Sequence, residues 1–125
     1  MIRIGIDIVD IARLADRMQR WPRLADRVFT DHEQAYCRSK HSPPQHFAAR
    51  FAAKEAAFKA LGEGWPKLSW TDVEVVSEDR RPALVLRGRA GQMAGRCTAL
   101  VSLTHDAGVA VAEVLLIPEA GPPSS

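Results

Sequence analysis

The sequence predicts an α+β fold in which helices, one of them long, pack against a largely antiparallel sheet. Three observations support this prediction: a strictly alternating apolar segment at the start of the chain, an uninterrupted helical segment in the middle, and two β-branched runs joined by a turn near the end. The chain has 125 residues, which is enough for one hydrophobic core but not for two. We therefore expect a single domain over residues 1–117.

The first predicted element is a strand. Four isoleucines occupy every second position from Ile2 to Ile8, which is the period of a strand with one buried face. We expect the isoleucines to form that buried face. Asp7 then points to the other side of the strand.

Helical signals follow the strand. Residues 11–21 have helical spacing, with apolar side chains on one face and arginines on another. Pro22 either ends this helix or opens a short one. Thr30 followed by Glu33 has the form of a capping box, which predicts a further helix over residues 31–40.

The longest helix is predicted in the middle of the chain. Residues 45–61 contain no glycine or proline, while Ser42 offers an N-cap and Gly62 a stop. The aromatic residues of this segment fall within one stripe at about 100° per residue. The alanines around them allow close packing against a sheet, so we expect this segment to be the central core helix.

The second half of the chain contains four strand signals, with one helix signal between the second and the third. The expected elements are strands over residues 68–76 and 82–87, a short helix over 91–96, and strands over 98–104 and 109–117. Residues 118–125 are rich in proline, glycine and serine, and we expect them to form a disordered tail.

Composition argues against several classes of function. The formal charge of +2 is too small to demand a nucleic-acid partner, and we expect none. Charges interspersed among the first isoleucines exclude a signal peptide and a membrane span there, so no membrane partner is expected. Cys37 and Cys97 form neither a disulfide framework nor a zinc pattern. A reducing, cytoplasmic setting is therefore expected.

Two carboxylates are the first candidates for chemistry. Asp7 lies on a strand among isoleucines, and Glu55 lies on the core helix. If they converge, their oxygens suit Mg²⁺, which usually keeps several waters and shares its shell with substrate phosphates. Spacing alone leaves two simpler interpretations open: Asp7 lies structurally at the mouth of the strand, and Glu55 forms a surface pair with Lys59.

Basic residues near these carboxylates are candidates for neutralising phosphates. The core helix carries Arg50, Lys54 and Lys59. Lys54 falls within the aromatic stripe, so either its stem reaches out to solvent or the helix faces a charged cleft. His105, at a strand end, is a candidate for binding phosphate or transferring a proton, although a turn histidine is often incidental. The sequence contains no P-loop, GxGxxG or GxSxG motif, which disfavours standard nucleotide-binding and serine-hydrolase interpretations.

Three segments together resemble the holo-(acyl-carrier-protein) synthase branch of the 4'-phosphopantetheinyl transferase family. They are residues 5–13 (GIDIVDIAR), 47–62 (FAARFAAKEAAFKALG) and 101–114 (VSLTHDAGVAVAEV). Their order and spacing match the family, so the resemblance covers nearly the whole chain. It implies transfer of 4'-phosphopantetheine from coenzyme A to a serine of an acyl carrier protein, with release of 3',5'-ADP, in support of fatty acid or polyketide synthesis.

The resemblance also implies roles for individual residues. Asp7 and Glu55 match the family's magnesium-binding carboxylates, and Lys59 matches a lysine near the pyrophosphate of coenzyme A. Arg50 and His105 match residues that contact the cofactor's phosphates. The expected catalytic residues are Glu55, Lys59 and His105. Glu55 is the first choice for accepting the serine proton, directly or through water.

The resemblance further implies an acidic carrier protein as partner and a homotrimer with active sites at its subunit interfaces. The family docks the carrier on the region that holds five arginines of this chain, Arg13, Arg17, Arg20, Arg23 and Arg27. Two departures from the family pattern are present: Arg80-Arg-Pro82 replaces a Gly-Lys-Pro turn, and Leu103 replaces an isoleucine before the histidine. The first departure could alter the contacts with coenzyme A.

Two other functions stay open at this point. One is a catalytically silent domain that binds a nucleotide or coenzyme A, and the other is a structural oligomerisation module. The presence of both Asp7 and Glu55 favours the transferase, because phosphate binding alone needs the cations more than the carboxylates. The sequence specifies neither the preferred carrier nor whether acylated coenzyme A is accepted.

Overall fold

The computed structural model describes residues 1–120 and confirms the α+β class. Its strands are β1 (Arg3–Asp10), β2 (Val73–Glu78), β3 (Arg81–Leu86), β4 (Cys97–Asp106) and β5 (Val109–Pro118). Its helices are α1 (Ile11–Arg20), α2 (Leu24–Val28), α3 (Asp31–Arg38), α4 (Pro43–Leu61) and α5 (Gly88–Ala94), with one 3₁₀ turn at Trp70–Asp72. Part of the tail prediction, residues 121–125, lies outside the described residues, and Pro118 belongs to β5.

The strands form two antiparallel units. β5 lies between β1 and β4 in a three-stranded sheet, with Asp7 opposite Ala112 and His105 opposite Ala110. β2 and β3 form a separate hairpin, and β3 contacts β4. The turn between β4 and β5 contains Gly108 at a φ of 80°, a left-handed conformation that glycine adopts without strain. The predicted hairpin is therefore present.

Helix α4 packs across the three-stranded sheet and forms the centre of the core. All seven of its alanines are buried, which lets the helix lie close to the strands. The two elements approach tightly at Gly5 of β1, where an added Cβ would lie 1.8 Å from the carbonyl oxygen of Ala56. Gly5 therefore sets the distance between β1 and α4, and with it the position of the residues that follow on both elements.

The expectation for the isoleucine face of β1 is wrong within the single chain. The side chains of Ile2, Ile4, Ile6 and Ile8 are all more than half exposed, Ile6 at 57%. The opposite face, which carries Gly5 and Asp7, packs against α4. The residue pattern separates two faces correctly, but the absence of a side chain at Gly5 decides which face meets the helix.

Several boundaries also differ from the prediction. α1 begins directly after Asp10, whose carboxylate accepts a hydrogen bond from the backbone N–H of Arg13 at 2.9 Å. The capping box of α3 is present as predicted. β2 begins at Val73 rather than at residue 68, because a 3₁₀ turn precedes it. α5 begins three residues before the predicted short helix.

Candidate functional site

The first cluster of functional side chains joins β1 to the last turns of α4. The ammonium group of Lys59 donates to Asp7 Oδ1 at 2.8 Å and to the backbone oxygen of Ile6 at 3.0 Å. Glu55, one turn before Lys59, is close enough to Asp7 for their charges to interact. The structure therefore brings together the two carboxylates and the lysine that the sequence singled out. We call Asp7, Glu55 and Lys59 the carboxylate cluster.

The negative charges of the carboxylate cluster favour the binding of a cation. Burial raises the pKa of Glu55 above its ordinary value, the negative charge of Asp7 raises it further, and Lys59 opposes the shift. The hydrogen bond to Asp7 raises the pKa of Lys59, so this side chain stays charged. Because the negative charge of Asp7 raises the proton affinity of Glu55, a positive charge placed between the two carboxylates would relieve their repulsion.

These residues fit a magnesium ion. Residues 1–120 contain no group of three or more His, Cys, Asp or Glu side chains that could hold a metal ion, so a protein-only cage is absent from that range. Magnesium does not need one, because it is commonly held by one or two carboxylates together with water and substrate phosphates. Asp7 and Glu55 supply hard oxygen donors of the right type and number.

Two cavities meet at Glu55. The larger, of about 550 Å³, is lined by Glu55, Phe58, Lys59, Glu63, Trp65 and Trp70 together with Gly62 and Gly64; we call it the aromatic cavity. The smaller, of about 260 Å³, is lined by Asp7 to Asp10, Arg13, Leu14, Arg17, Phe51 and Glu55; we call it the arginine cavity. Because Glu55 lines both, the carboxylate cluster can be reached from two sides.

A third cavity, of about 200 Å³, lies at the other end of α4. Its lining includes Tyr36, His46, Arg50, Ser77, Arg80 and His105, and we call it the basic cavity. Arg50 is 4% exposed, its guanidinium lies 4.0 Å from the Tyr36 ring centroid, and its Nε has no hydrogen-bond partner among the described residues. Burial, followed by the positive charge of Arg50, lowers the pKa of His46. An unpaired buried donor in a basic pocket suits an anion.

One chain does not bring the basic cavity and the carboxylate cluster together. Arg50 and Lys59 are nine residues apart on α4, which corresponds to about 13.5 Å along the axis and two and a half turns, hence to opposite sides of the helix. His105 belongs to the Arg50 side, since it lines the basic cavity. The expected phosphate-contacting residues and the expected magnesium ligands are therefore two separate half-sites.

The cofactor contact expected for Lys54 does not agree with the structure. Its side chain is completely buried, and its ammonium pairs with Glu33 at 2.8 Å. It also donates to the backbone oxygens of Trp70, at 3.1 Å, and of Val73. Burial lowers the pKa of Lys54, and the Glu33 carboxylate opposes that shift. Lys54 neither snorkels nor faces a cleft, because its partner lies inside the core.

The five arginines expected to dock a carrier are all exposed. Arg13 and Arg17 line the arginine cavity next to the carboxylate cluster. Arg20 pairs with Asp16 at 3.2 Å, and the Arg27 guanidinium lies 5.9 Å from the centroid of the Trp65 ring. The basic surface therefore leads directly to Glu55, although only its first two arginines line the site itself.

Sequence reasoning missed several residues that line the cavities. Trp65 and Trp70 in the aromatic cavity, and Tyr36 and His46 in the basic cavity, were not singled out. The tryptophans had one usable signal, because two of the chain's three tryptophans follow the end of the core helix within nine residues. Tyr36 and His46 gave none, since their roles depend on how α3 packs against α4.

A cavity lined by arginines and histidines, an exposed basic surface and a pair of carboxylates on an α+β scaffold suit a protein that binds phosphorylated ligands. A family model described as the 4'-phosphopantetheinyl transferase superfamily matches residues 3–112. The chain therefore belongs to this superfamily, which confirms the family that the three sequence segments indicated.

Two relatives with the same name indicate which member of the superfamily the chain resembles. The chain is 47% identical over 120 residues to the holo-(acyl-carrier-protein) synthase of Moorella thermoacetica, covering 91% of this chain and 94% of the relative. It is 43% identical over 119 residues to the enzyme of the same name from Frankia alni, covering 92% of this chain and 96% of the relative. In each case the two proteins match over nearly their full lengths.

Solved structures agree with the fold. A coenzyme A complex of the Chronobacterium ammoniagenes ACPS superimposes with a TM-score of 0.85 at 26% identity, covering 96% of this chain and 99% of the other. The Helicobacter pylori holo-(acyl-carrier-protein) synthase in complex with coenzyme A gives a TM-score of 0.81 at 33% identity, covering 90% and 98%. Within residues 1–120, no helix combines the length and apolar character that a membrane crossing requires.

Proposed function

We propose that this chain is a magnesium-dependent transferase that moves 4'-phosphopantetheine from coenzyme A to a serine of an apo acyl carrier protein, releasing 3',5'-ADP for fatty acid or polyketide synthesis. The observation that supports it most is the carboxylate cluster of Asp7, Glu55 and Lys59, reached on one side from exposed arginines and on the other from the aromatic cavity. Relatives named holo-(acyl-carrier-protein) synthase point to the same reaction. The free cysteines favour the cytoplasm.

The reaction is a phosphoryl transfer centred on the carboxylate cluster. The serine oxygen of the carrier forms a bond to the β-phosphorus of coenzyme A, and the bond from that phosphorus to the bridging oxygen breaks, so that 3',5'-ADP leaves with the electron pair. Glu55 accepts the serine proton, directly or through water. Lys59 offsets the negative charge that develops on the phosphoryl oxygens.

Asp7 and Glu55 would hold the magnesium ion. When bound, the ion supplies positive charge that stabilises the transferred phosphoryl group and its leaving group. Lys59, which holds Asp7 Oδ1, keeps that carboxylate in position on β1. The backbone oxygen of Ile6 holds the lysine in turn. The chain's own contribution is therefore to hold two oxygen donors and one ammonium group near one another.

Neighbouring copies would complete the site. The outer face of the three-stranded sheet exposes Ile4, Ile6 and Ile8 of β1, and Leu115 of β5 lies between Ile4 and Leu100 of β4. Glu113 lies opposite Ile6 on the same face, so the apolar side chains there are concentrated on β1. An exposed row of large apolar side chains is typical of a surface that contacts another chain. A homotrimer that covers this face would set the basic cavity of one copy against the carboxylate cluster of the next.

The first test is intact-mass spectrometry of an apo acyl carrier protein incubated with the chain, coenzyme A and Mg²⁺, beside a chelator control. The carrier should gain one phosphopantetheine mass only when metal is present, and Asp7→Ala or Glu55→Ala should abolish the gain while far-UV circular dichroism stays unchanged. Wild-type rates in either variant would refute the metal assignment. No gain with several carriers, despite measured coenzyme A binding, would favour the silent binding domain.

The shared site has a separate test by complementation. Asp7→Ala and His105→Ala should each be inactive alone, but co-expressed mixed oligomers contain sites that combine an intact Asp7 from one copy with an intact His105 from another. Random assembly of equal amounts should restore about a quarter of wild-type activity. No recovery in mixed oligomers would show that each site lies within one chain. Sedimentation should give the mass of three chains, and Ile6→Glu should give monomers.

A further inference from the structure

The turn between β2 and β3 holds an arginine in a conformation that favours glycine. Glu78 pairs with Arg81 at the end of the hairpin, so the turn consists of Asp79 and Arg80 alone. Their φ values are 48° and 66°, the left-handed values that a tight two-residue hairpin turn requires. Aspartate adopts this conformation fairly often, whereas a long side chain such as arginine does so only with strain. A contribution other than the stability of the turn is therefore needed to explain Arg80.

Arg80 lines the basic cavity, where it adds a second arginine to Arg50. Two histidines also belong to the lining, and none of the described lining residues is a carboxylate. Arg50 is buried, and its Nε lacks a hydrogen-bond partner within residues 1–120. Arg80 is exposed and takes part in none of the ion pairs found in the same range. The cavity therefore combines a fixed inner cation with an outer one that is available to an anionic ligand.

The donor offers the basic cavity one group of matching size and charge. The β-phosphorus of coenzyme A lies at the carboxylate cluster in the proposed reaction, so the 3'-phosphate, on the other side of the ribose, is the terminal phosphate left for the basic cavity of a neighbouring copy. A phosphate monoester carries a charge of about −1.5 to −2 at pH 7. The cavity, of about 200 Å³, is smaller than the ~300–1,000 Å³ of pockets that enclose a whole small ligand. It therefore suits one phosphate group better than the whole nucleotide.

We propose that Arg80 binds the 3'-phosphate of coenzyme A and increases the selectivity of the chain for donors that carry this group. The inference rests on the proposed function and adds a specificity-determining residue to its donor site. A guanidinium donates charge-assisted hydrogen bonds in a fixed planar arrangement that matches phosphate oxygens. Arg80 contacts the phosphate from the solvent side, because it is exposed, whereas the buried Arg50 lies deeper. Donor binding, rather than stability, then explains the strained arginine.

The test measures donor binding and thermal stability in the intact oligomer. Calorimetric titration without carrier protein gives the dissociation constants of coenzyme A and 3'-dephospho-coenzyme A in the presence of Mg²⁺. The ratio of the second constant to the first should fall about tenfold in Arg80→Gln, roughly what one charge-assisted hydrogen bond contributes. Arg80→Gly should lose the same selectivity, yet its melting temperature at one fixed chain concentration should rise by about 2–4 °C, because the strain is relieved.

Ala107→Gly is the matched control for strain. Ala107 has a φ of 51° in the turn between β4 and β5 and lies outside the lining of the basic cavity. Its replacement should raise the melting temperature without changing the ratio of the two dissociation constants. Sedimentation should give the same mass for all three variants as for the wild-type protein.

Three outcomes would overturn the inference. An unchanged ratio in Arg80→Gln, or a wild-type protein that binds both donors equally, shows that Arg80 does not bind the 3'-phosphate. Equal weakening of both donors shows a contact with adenine or the pyrophosphate instead. A lower melting temperature in Arg80→Gly with an unchanged ratio shows that the arginine only stabilises the turn. A wild-type protein that binds coenzyme A with the expected dependence on Arg80, but modifies no carrier, supports the phosphate contact and refutes the proposed transfer.

Discussion

Replacing Gly5 by alanine tests whether the contact between β1 and α4 sets the geometry of the carboxylate cluster. A Cβ at this position would lie 1.8 Å from the carbonyl oxygen of Ala56 and 2.9 Å from the backbone nitrogen of Ala60. Side-chain carbons essentially never come within 3.0 Å of such atoms, so strand and helix must separate by at least 1.2 Å. Both atoms belong to backbone, and no side-chain rotation relieves the clash.

The expected cost has a structural and a catalytic part. Overpacking of this kind costs ~1–3 kcal/mol, which lowers the melting temperature by roughly 4 °C per kcal/mol in a domain of this size. Asp7 lies two residues beyond Gly5, and Glu55 lies next to Ala56, so the same displacement separates the two carboxylates. A misplacement near 1 Å can lower the rate about 100-fold.

The assay combines thermal unfolding at one fixed chain concentration with the rate of carrier modification at saturating Mg²⁺. Gly64→Ala is the stability control, because its Cβ would meet the Phe58 ring at an ordinary 3.5 Å. Adding Ala56→Gly to Gly5→Ala should not restore either quantity, since the side chain of Ala56 is not what clashes. A Gly5→Ala protein with wild-type melting temperature and rate would refute the proposed role of this contact.

Three further predictions follow from individual side chains. Lys54→Met should lower the free energy of urea unfolding by ~3–5 kcal/mol, because it leaves the Glu33 carboxylate buried without its cation; a loss below ~1 kcal/mol would contradict the buried pair. Because burial raises the pKa of the Cys37 thiol to about 11, a thiol reagent at pH 8 should titrate Cys97 alone in the native protein and both cysteines after unfolding; two fast-reacting native thiols would contradict this. Arg13→Glu should raise the KM for the carrier at low salt with little change in turnover, an effect that should weaken as salt is added; an unchanged KM would remove this arginine from the docking surface.

Local patterns predicted the elements that place the carboxylate cluster. The alternation of residues 2–9 identified β1 and put Asp7 on the face opposite the isoleucines. The stretch between Ser42 and Gly62 identified α4, which ends at Leu61 as predicted. Both signals depend on residues within one element, so a single sequence reveals them. The roles of Asp7 and Glu55 in metal binding stay predictions.

The isoleucine face of β1 shows what a residue pattern within one strand does not predict. Alternation separates two faces of a strand, but it does not say which face meets the chain's own core. Here the smaller face, with Gly5, meets α4 because a helix can approach backbone only where no side chain intervenes. The isoleucine face stays exposed in the single chain, and contacts between chains leave no spacing signal in a single sequence.

Lys54 was misassigned for a different reason. Its position among apolar residues of α4 was visible, but its partner Glu33 lies 21 residues earlier and was identified only as a capping residue. Glu33 both caps α3 and pairs with Lys54. One of its oxygens accepts from the Thr30 backbone and the Lys54 ammonium, and the other accepts from the backbone of Val75. A buried pair between distant elements becomes visible only when their packing is known.

The position of the two half-sites on α4 also limits what an experiment can establish about assembly. Because Arg50 and Lys59 face opposite sides of one helix, each copy would give its basic cavity to one neighbour and its carboxylate cluster to another. A head-to-tail arrangement of this kind closes into a ring, whereas a two-fold dimer pairs the same two half-sites reciprocally. Complementation would recover activity equally in both assemblies. Sedimentation mass therefore decides between three copies and two, and complementation decides only whether the site is shared.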